Sequence, residues 1–587
     1  MDKIVFIVLA LVGGLIMFLY GMDLMGDSLK KLAGGKLESI LAKLTSNRFK
    51  GLLLGFFVTA IIQSSSATTV MLVGFVNSGI MQLGQTIGVI LGANVGTTVT
   101  AWLLSTAEID GAAFVIKLFK PESFTPLLAA IGFIINALTK DDRKKNTGNI
   151  LIGFAILMFG MEAMSGAVEG LRDNEKFIGF LTMFDNPILG VIAGTIFTAV
   201  IQSSSASIGV LQALAITGVI PFSTAVPLIL GMNIGTTITP VISALSGNID
   251  SKRVAVLCVY IKAIDVIVIA SGFYLLHMFV GFEFMVEDAT AIGIAVLHTG
   301  FNVLSTVIML PFTGAIEKLV LLTIKSKKVD KEIDRFATLD ERFLEMPSFA
   351  VEKCRDLVCE MADISHVAFL KATALLDSFD AQNFAEVERL EALVDKYEDK
   401  TSTYLIKIAE HNMSSRDSKV VTELLHCIGD IERISDHALN IAEVAKEIHD
   451  KKIDFSDKAK VDIRIINNAV SEILSLAVQA LNLEDMEIAA KVEPLEQVID
   501  NINRKIKSGH VSRLKHGDCT IELGFILSDL LTNYERISDH CSNIAVCFIE
   551  ISHDSFETHQ YLSNVKSGDD NEFKKLYESY EIKYAID

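Results

Sequence analysis

The feature that most limits what this chain can fold into is an internal duplication at one constant spacing. Residues 18–25 (FLYGMDLM) pair with 158–164 (MFGMEAM), 55–67 (GFFVTAIIQSSSA) with 194–206 (GTIFTAVIQSSSA), and 91–98 (LGANVGTT) with 230–237 (LGMNIGTT). Gly21 to Gly160, Gln63 to Gln202 and Asn94 to Asn233 are each 139 residues apart. A single offset held across the whole stretch is the mark of a duplicated structural unit. In apolar chains such units build many transporter folds.

The copies sit in an apolar background. Runs at 4–22, 150–161, 254–274 and 291–311 approach the roughly 20 residues that cross a bilayer as a helix. The first run is read as a membrane helix and not a signal peptide. It is long for a signal core, lacks a small-x-small cleavage site and recurs internally. Charge divides the chain. Residues 1–330 carry 22 Lys+Arg against 21 Asp+Glu, and residues 331–587 carry 30 against 50, net charges of +1 and −20 that recover the overall −19. The second part is therefore an acidic soluble block, a charge that argues against nucleic acid as partner. Seven cysteines, six of them in the acidic part and none in a Cys-x-x-Cys pair, fit a reducing compartment.

Basic residues set the expected orientation. Lys30, Lys31, Lys36, Lys43, Arg48 and Lys50 follow the first helix, whereas the matching loop of the second copy holds Arg172 and Lys176 among acids. The positive-inside rule puts the first loop in the cytoplasm and its twin outside. Three crossings then separate the copies, so they are expected as inverted repeats of about 1–140 and 141–312. This scheme makes 51–80 and 188–219 re-entrant hairpins, each broken at Gln-Ser-Ser-Ser. Half-helices of about 12 to 14 residues are too short for about 30 Å of hydrocarbon. Broken backbone at that depth must line a polar cavity or be buried in protein.

A break exposes N–H groups at one half-helix, which favour an anion, and carbonyls at the other, which favour a hard cation. Gln63, Ser64, Ser65 and Ser66, with Gln202, Ser203, Ser204 and Ser205, are the candidate anion ligands. Asn94, Thr97, Thr98, Asn233, Thr236 and Thr237 add further oxygens, and Gly residues between them permit unwinding. The residues alone do not choose phosphate over sulfate or a carboxylate.

Two QSSS motifs, each followed by a GANVGTT-like stretch, resemble the type II sodium–phosphate cotransporter family over about residues 1–320. The resemblance implies phosphate as the anion, sodium as the driving ion, and the two breaks as the substrate site. It also implies a His-x-x-Phe-Asn-like stretch after each copy. HTGFN (298–302) supplies it in the second, making Asn302 a candidate sodium ligand. The first copy has only GFIIN (132–136), without His or Asp. Among other membrane charges, Asp23 and Glu162 are equivalent by repeat. Lys262 and Asp265 are read either as an internal salt pair or as a coupling element.

Residues 326–345 look like a charged linker. Beyond it the periodicity is helical, and residues 427–444 match 530–547 at an offset of 103. Two bundles of about three helices are expected, followed by a tail at 561–587. Glu391/Asp395 and Glu432/Asp436, then Glu496/Asp500 and Glu535/Asp539, place paired carboxylates one turn apart on a helix face. They are the candidate ligands for a divalent cation or, with His437 and His540 adjacent, iron or zinc. The tandem ERISDH segments resemble PhoU-type domains over about 346–560, a likeness that implies regulation of phosphate transport and multi-metal clusters.

The expectation is thus an all-α, multi-pass protein of the cytoplasmic (inner) membrane, with a membrane domain at 1–325 and a cytoplasmic helical domain. It would move inorganic phosphate with Na+ and perform no covalent chemistry; a homodimer is left open. Two rivals stay open at this point: a transporter of another small oxyanion, and a membrane-tethered sensor that moves nothing.

Overall fold

The computed structural model describes residues 2–33, 47–108, 121–169, 174, 177, 179, 181, 183–325, 335–411, 413–516, 519–552 and 571–586. Lys36, Lys43, Arg172 and Lys176, which carried part of the orientation argument, lie outside them. Every regular element among the described residues is a helix. The chain forms two compact units, Met1–Phe349 and Ala350–Asp587.

In the first unit the duplication is visible residue by residue. Helices α1 (Asp2–Ala33), α2 (Arg48–Ile62), α3 (Ser65–Asn77), α4 (Leu83–Gly96), α5 (Thr98–Ser105) and α6 (Pro121–Leu138) form the first copy. Helices α7 (Asp142–Glu169), α8 (Pro187–Ile201), α9 (Ser204–Ile216), α10 (Phe222–Gly235), α11 (Ile238–Ala244) and α12 (Ile249–Val280) form the second. Helices α13 (Ala291–Met309) and α14 (Thr313–Thr323) complete the unit. Among the described residues, six stretches are long and apolar enough to cross a membrane: Val5–Leu32, Leu83–Glu108, Asp142–Glu169, Phe222–Ala244, Ile249–Val280 and Ala291–Thr323. Large apolar side chains such as Phe6, Val200 and Ile267 face outward, as lipid contact requires.

Glycine decides the closest helix crossings. A Cβ on Gly55 would stand 2.1 Å from Val89 O, and one on Gly92 1.9 Å from Leu52 O. The repeat mates Gly194 and Gly231 meet Leu228 O at 2.3 Å and Val191 O at 2.1 Å. Thus α2 on α4 and α8 on α10 are the same backbone-to-backbone contact made twice. Helices α1 and α7 also pack on each other. Gly21 lies against Gly153 O and Gly160 against Gly14 O. Early positions of one helix meet late positions of the other, so these two repeat-equivalent helices run antiparallel.

Residues Arg335–Thr338 and Glu341–Glu345, within the stretch expected as a linker, are 3-10 turns of the first unit. Phe343 is fully buried beside Phe75 and Phe349, with ring centroids 5.5 and 4.9 Å away. Asn77 Nδ2 donates to Asp340 Oδ2 at 2.6 Å, and Lys30 Nζ to Glu345 O at 3.0 Å.

The second unit holds two sets of three long helices. The first set is α15 (Pro347–Asp377), α16 (Ala381–Ala409) and α17 (Ser415–Lys451). The second is α18 (Asp457–Leu483), then, after the short α19 (Met486–Ala489), α20 (Val492–His516) and α21 (Ile521–Ser552). Each long helix buries a stripe at three- and four-residue spacing, such as Leu424, Cys427, Ile428, Ile431 and Ile434 on α17. The end of the expected tail is helix α22 (Asn571–Lys583). It is tied down by Asn501 Nδ2 to Tyr577 at 2.6 Å and by Lys583 to Glu472 at 2.6 Å.

Candidate functional site

Each hairpin break is built by the same three devices. An Asn caps the incoming helix, with Asn47 Oδ1 accepting from Phe49 N and Asn186 Oδ1 from Ile188 N, both at 3.0 Å. The helix then ends at a glutamine in the left-handed region, Gln63 at φ 59° and Gln202 at φ 61°. That conformation costs a non-glycine residue about 1–2 kcal/mol, and it is adopted at both breaks. Last, Ser64 and Ser203 cap the outgoing helices by accepting from Ala67 N at 3.1 Å and Ala206 N at 3.2 Å. These two hydroxyls are therefore engaged in the fold. The first-turn N–H groups at Ser65, Ser66, Ser204 and Ser205 are those that capping leaves over.

The two breaks meet. Ser66 Oγ donates to Gln202 O at 3.2 Å. Beside them Ser65, Ser66, Thr69, Asn94, Thr236, Thr237, Cys258 and Lys262 line a cavity of about 20 Å³. A second cavity of about 280 Å³ shares Ser66 and is bounded by Lys30, Thr239, Arg342 and Glu345. The first is water-sized; the second has room for a tetrahedral oxyanion.

The halves match in sequence but not in bonding. In the first, Thr100 Oγ1 donates to Gln63 Oε1 at 2.7 Å, and Thr59 and Thr68 hydroxyls bond across the break at 3.0 Å. In the second, Thr239 Oγ1 and Thr198 Oγ1, their repeat mates, are buried without partners, and Gln202 is exposed. The first break is laced shut and the second is not.

Asn94, Thr97, Thr98, Asn233 and Thr236 are buried around the cavity region, as are His298 and Asn302 on α13. Asn302 donates to His298 O at 2.7 Å and keeps Oδ1 unpartnered. Asp23 and Glu162 sit on exposed helix faces. Lys262 and Asp265 act on each other electrostatically, and the hydrogen bond of Lys262 Nζ goes to Asn233 Oδ1 at 3.3 Å.

In the acidic unit, Glu391, Asp395 and Asp436 bring oxygens within 4.8 Å of one another, and Glu496, Asp500 and Asp539 do the same. Hard oxygen donors at that spacing fit a divalent cation. Burial first, then neighbouring carboxylates, holds Glu391 and Asp539 above the usual carboxylate range, with Asp395 and Asp500 the respective carboxylates of largest effect. Glu432 and Glu535 stand outside these groups. Glu535 is drawn off by Asn503 Nδ2 at 2.6 Å and Lys507 Nζ at 3.3 Å. The histidines also have other tasks: His437 Nδ1 pairs with Asn533 Oδ1 and His540 Nδ1 with Asp430 Oδ1, each at 2.8 Å. Asn440 and Asn543 reach the same two acceptors. These contacts join α17 to α21, and the converging donor sets found among the described residues are carboxylates.

A family model described as Na+/Pi-cotransporter matches residues 17–166 and 172–309, and one described as PhoU domain matches 358–445 and 463–547. The Bacillus subtilis protein YqeW is 30% identical over 316 residues, 53% of this chain and 97% of that protein. The chain belongs to the Na+/Pi-cotransporter family. Escherichia coli YjbB, named for inorganic phosphate export, is 22% identical across 92% of this cotransporter-family chain and 97% of its own length. A Thermotoga maritima phosphate-specific transport system accessory protein, PhoU homolog 1, is 25% identical over 224 residues, 36% of this chain and 94% of that protein. The chain is a transporter-family protein and not an enzyme.

Sequence reasoning on this cotransporter-family chain missed Thr100 and Thr239. The signal was present, since they are also 139 apart, but lone threonines in an apolar helix carry no motif. Lys30 and Arg342, which border the larger cavity, had no signal at all; they are brought there from opposite ends of the first unit.

Proposed function

We propose that this protein moves inorganic phosphate across the cytoplasmic membrane coupled to sodium, by alternating access between two inverted repeats. The observation that carries the reading is the Ser66 Oγ to Gln202 O contact at 3.2 Å, which joins the two breaks into one site. Phosphate is held by first-turn N–H groups and hydroxyls of Ser65, Ser66, Ser204 and Ser205, with Gln63 and Gln202 amides beside them and Ser64 and Ser203 shaping the turns. Sodium is held by the Asn94–Thr97–Thr98 and Asn233–Thr236–Thr237 oxygens and by Asn302. The antiparallel α1–α7 contact supports inversion. The laced first break and unlaced second break support a two-state site.

The PhoU-like unit regulates this transport from the cytoplasm. A divalent or iron/zinc ion on Glu391, Asp395 and Asp436, and another on Glu496, Asp500 and Asp539, would neutralise crowded carboxylates there; Glu432 and Glu535 are reserve ligands at the edge.

The test is labelled phosphate flux in vesicles of both orientations, with and without a sodium gradient and with sulfate as competitor. Sodium-dependent flux that Ser65→Ala and Ser204→Ala abolish, in chains that still fold, is expected. The name of the Escherichia coli relative makes outward flux the first direction to measure. Removal of residues 350–587 should change the rate but not erase it. Unaltered flux in both serine variants would refute the site, and sulfate carried equally well would refute the substrate.

A further inference from the structure

Asn94 and Asn233 occupy the same place in the two repeats, and each is followed by two threonines. All four hydroxyls donate to backbone carbonyls: Thr97 to Ala93 O at 2.9 Å, Thr98 to Val95 O at 2.7 Å, Thr236 to Asn233 O at 2.7 Å and Thr237 to Ile234 O at 2.8 Å. With its single proton committed, each hydroxyl offers only lone pairs to anything else. Both repeats therefore present oxygen sets suited to a cation.

In the second repeat a cation already stands there. Lys262 is 7% exposed, lines the cavity with Asn94, Thr236 and Thr237, and donates to Asn233 Oδ1 at 3.3 Å. Its hydrogen bond thus goes to a neutral amide, with the Asp265 carboxylate one turn further on acting on it through space. In the first repeat, by contrast, no ammonium among the described residues donates to Asn94, whose Nδ2 is itself a buried donor without a partner. The residue 139 before Lys262 is Ser123, so no lysine comes from the equivalent place. One half has an ammonium at its asparagine oxygen, and the other has none.

We propose that the Lys262 ammonium is a tethered cation filling the second-repeat set of Asn233, Thr236 and Thr237, so that the first-repeat set of Asn94, Thr97 and Thr98 takes the mobile sodium ion. The inference rests on the sodium-coupled phosphate reading above and narrows it. A fixed charge offsets part of the anion's charge inside the membrane, where an unpaired ion is strongly disfavoured. It needs no ion from solution to do so. The cavity of about 20 Å³ beside it has room for one water-sized guest and not two. Coupling then needs one sodium fewer than two open sets would.

The experiment counts bound 22Na+ on the purified full-length chain at saturating inorganic phosphate. Lys262→Ala and Lys262→Thr are each expected to bind one more sodium per chain than the unaltered protein, since each vacates the second set. An unchanged count in a folded variant overturns the proposal. A second pair of variants keeps the lysine. Asn94→Asp is expected to tighten sodium binding by about tenfold or more, the response to one opposite charge at short range. Asn233→Asp should tighten it by a smaller factor, because the ammonium neutralises the new carboxylate. Equal or reversed effects overturn the proposal too. If the unaltered chain moves phosphate with no sodium dependence, the sodium-coupled reading itself fails; if it shows that dependence and these variants behave otherwise than expected, only the tethered cation fails.

Discussion

Thr100→Val removes the hydroxyl that donates to Gln63 Oε1 at 2.7 Å and changes little else in shape. Gln63 is 8% exposed, so its amide oxygen is left inside the protein without that donor. An unpaired buried acceptor costs about 1–3 kcal/mol, which shifts a two-state equilibrium by about 5- to 150-fold. The laced form of the first break should lose population by that factor. Cys258 reports it: it is 3% exposed and lines the cavity with Ser65 and Lys262. In a chain keeping only this cysteine, a small thiol reagent should label Cys258 about 5- to 150-fold faster in Thr100→Val, if opening limits labelling. Thr239→Val is the internal control. Thr239 Oγ1 is already buried without a partner, so replacing it by a methyl group should leave the rate unchanged or lower it. Equal labelling of the Thr100→Val and starting chains, or acceleration by Thr239→Val of the same size, would show that the lacing does not hold the break.

Two further expectations concern the carboxylate groups and the helix crossings. Burial, with neighbouring carboxylates second, holds Glu391, Glu432, Asp436 and Asp539 above their ordinary range. Between the unfolded and folded pKa the native state binds more protons, so these groups make stability fall as pH rises through that window, a loss complete above the folded value. The Tm of the full chain in chelator should therefore fall more steeply as pH rises above the ordinary carboxylate value of about 4 than in the Asp436→Asn, Asp539→Asn double variant. Excess Mg²⁺ should flatten the unaltered curve; parallel curves would remove the crowding argument. Gly92→Ala would put a methyl group 1.9 Å from Leu52 O and should lower stability by about 1–3 kcal/mol or more. Gly13→Ala, with nothing within 4 Å, should not. Gel filtration of detergent extracts after a heating series separates the two outcomes.

Some of this protein is written in one dimension. The 139-residue offset, the apolar runs and the Gln-Ser-Ser-Ser breaks give the duplication, the membrane segments and the candidate ligands before any coordinate is seen. They do so because hydrophobic length, chain breaks and cap chemistry are local properties. The αL glutamines and the serine caps follow from the same short stretches in both copies. The helical spacing and the register of the acidic pairs were equally legible. Which of those acids converge was not. Glu391, Asp395 and Asp436 come from two helices, and Glu535 is lost to Asn503 on a third.

Nor could a repeat reveal its own asymmetry. Thr100 finds Gln63 while Thr239 Oγ1 has no partner, and Asn233 accepts from an ammonium while Asn94 Nδ2 is left unpaired. Near-identical segments were given different neighbours, and a hydrogen bond depends on the neighbour as much as on the residue. Local sequence determined the parts and their chemistry. Only the tertiary packing decided which copy is closed, which polar atoms are left unpaired, and where the lysine's charge points, because those depend on distances between helices far apart in the chain.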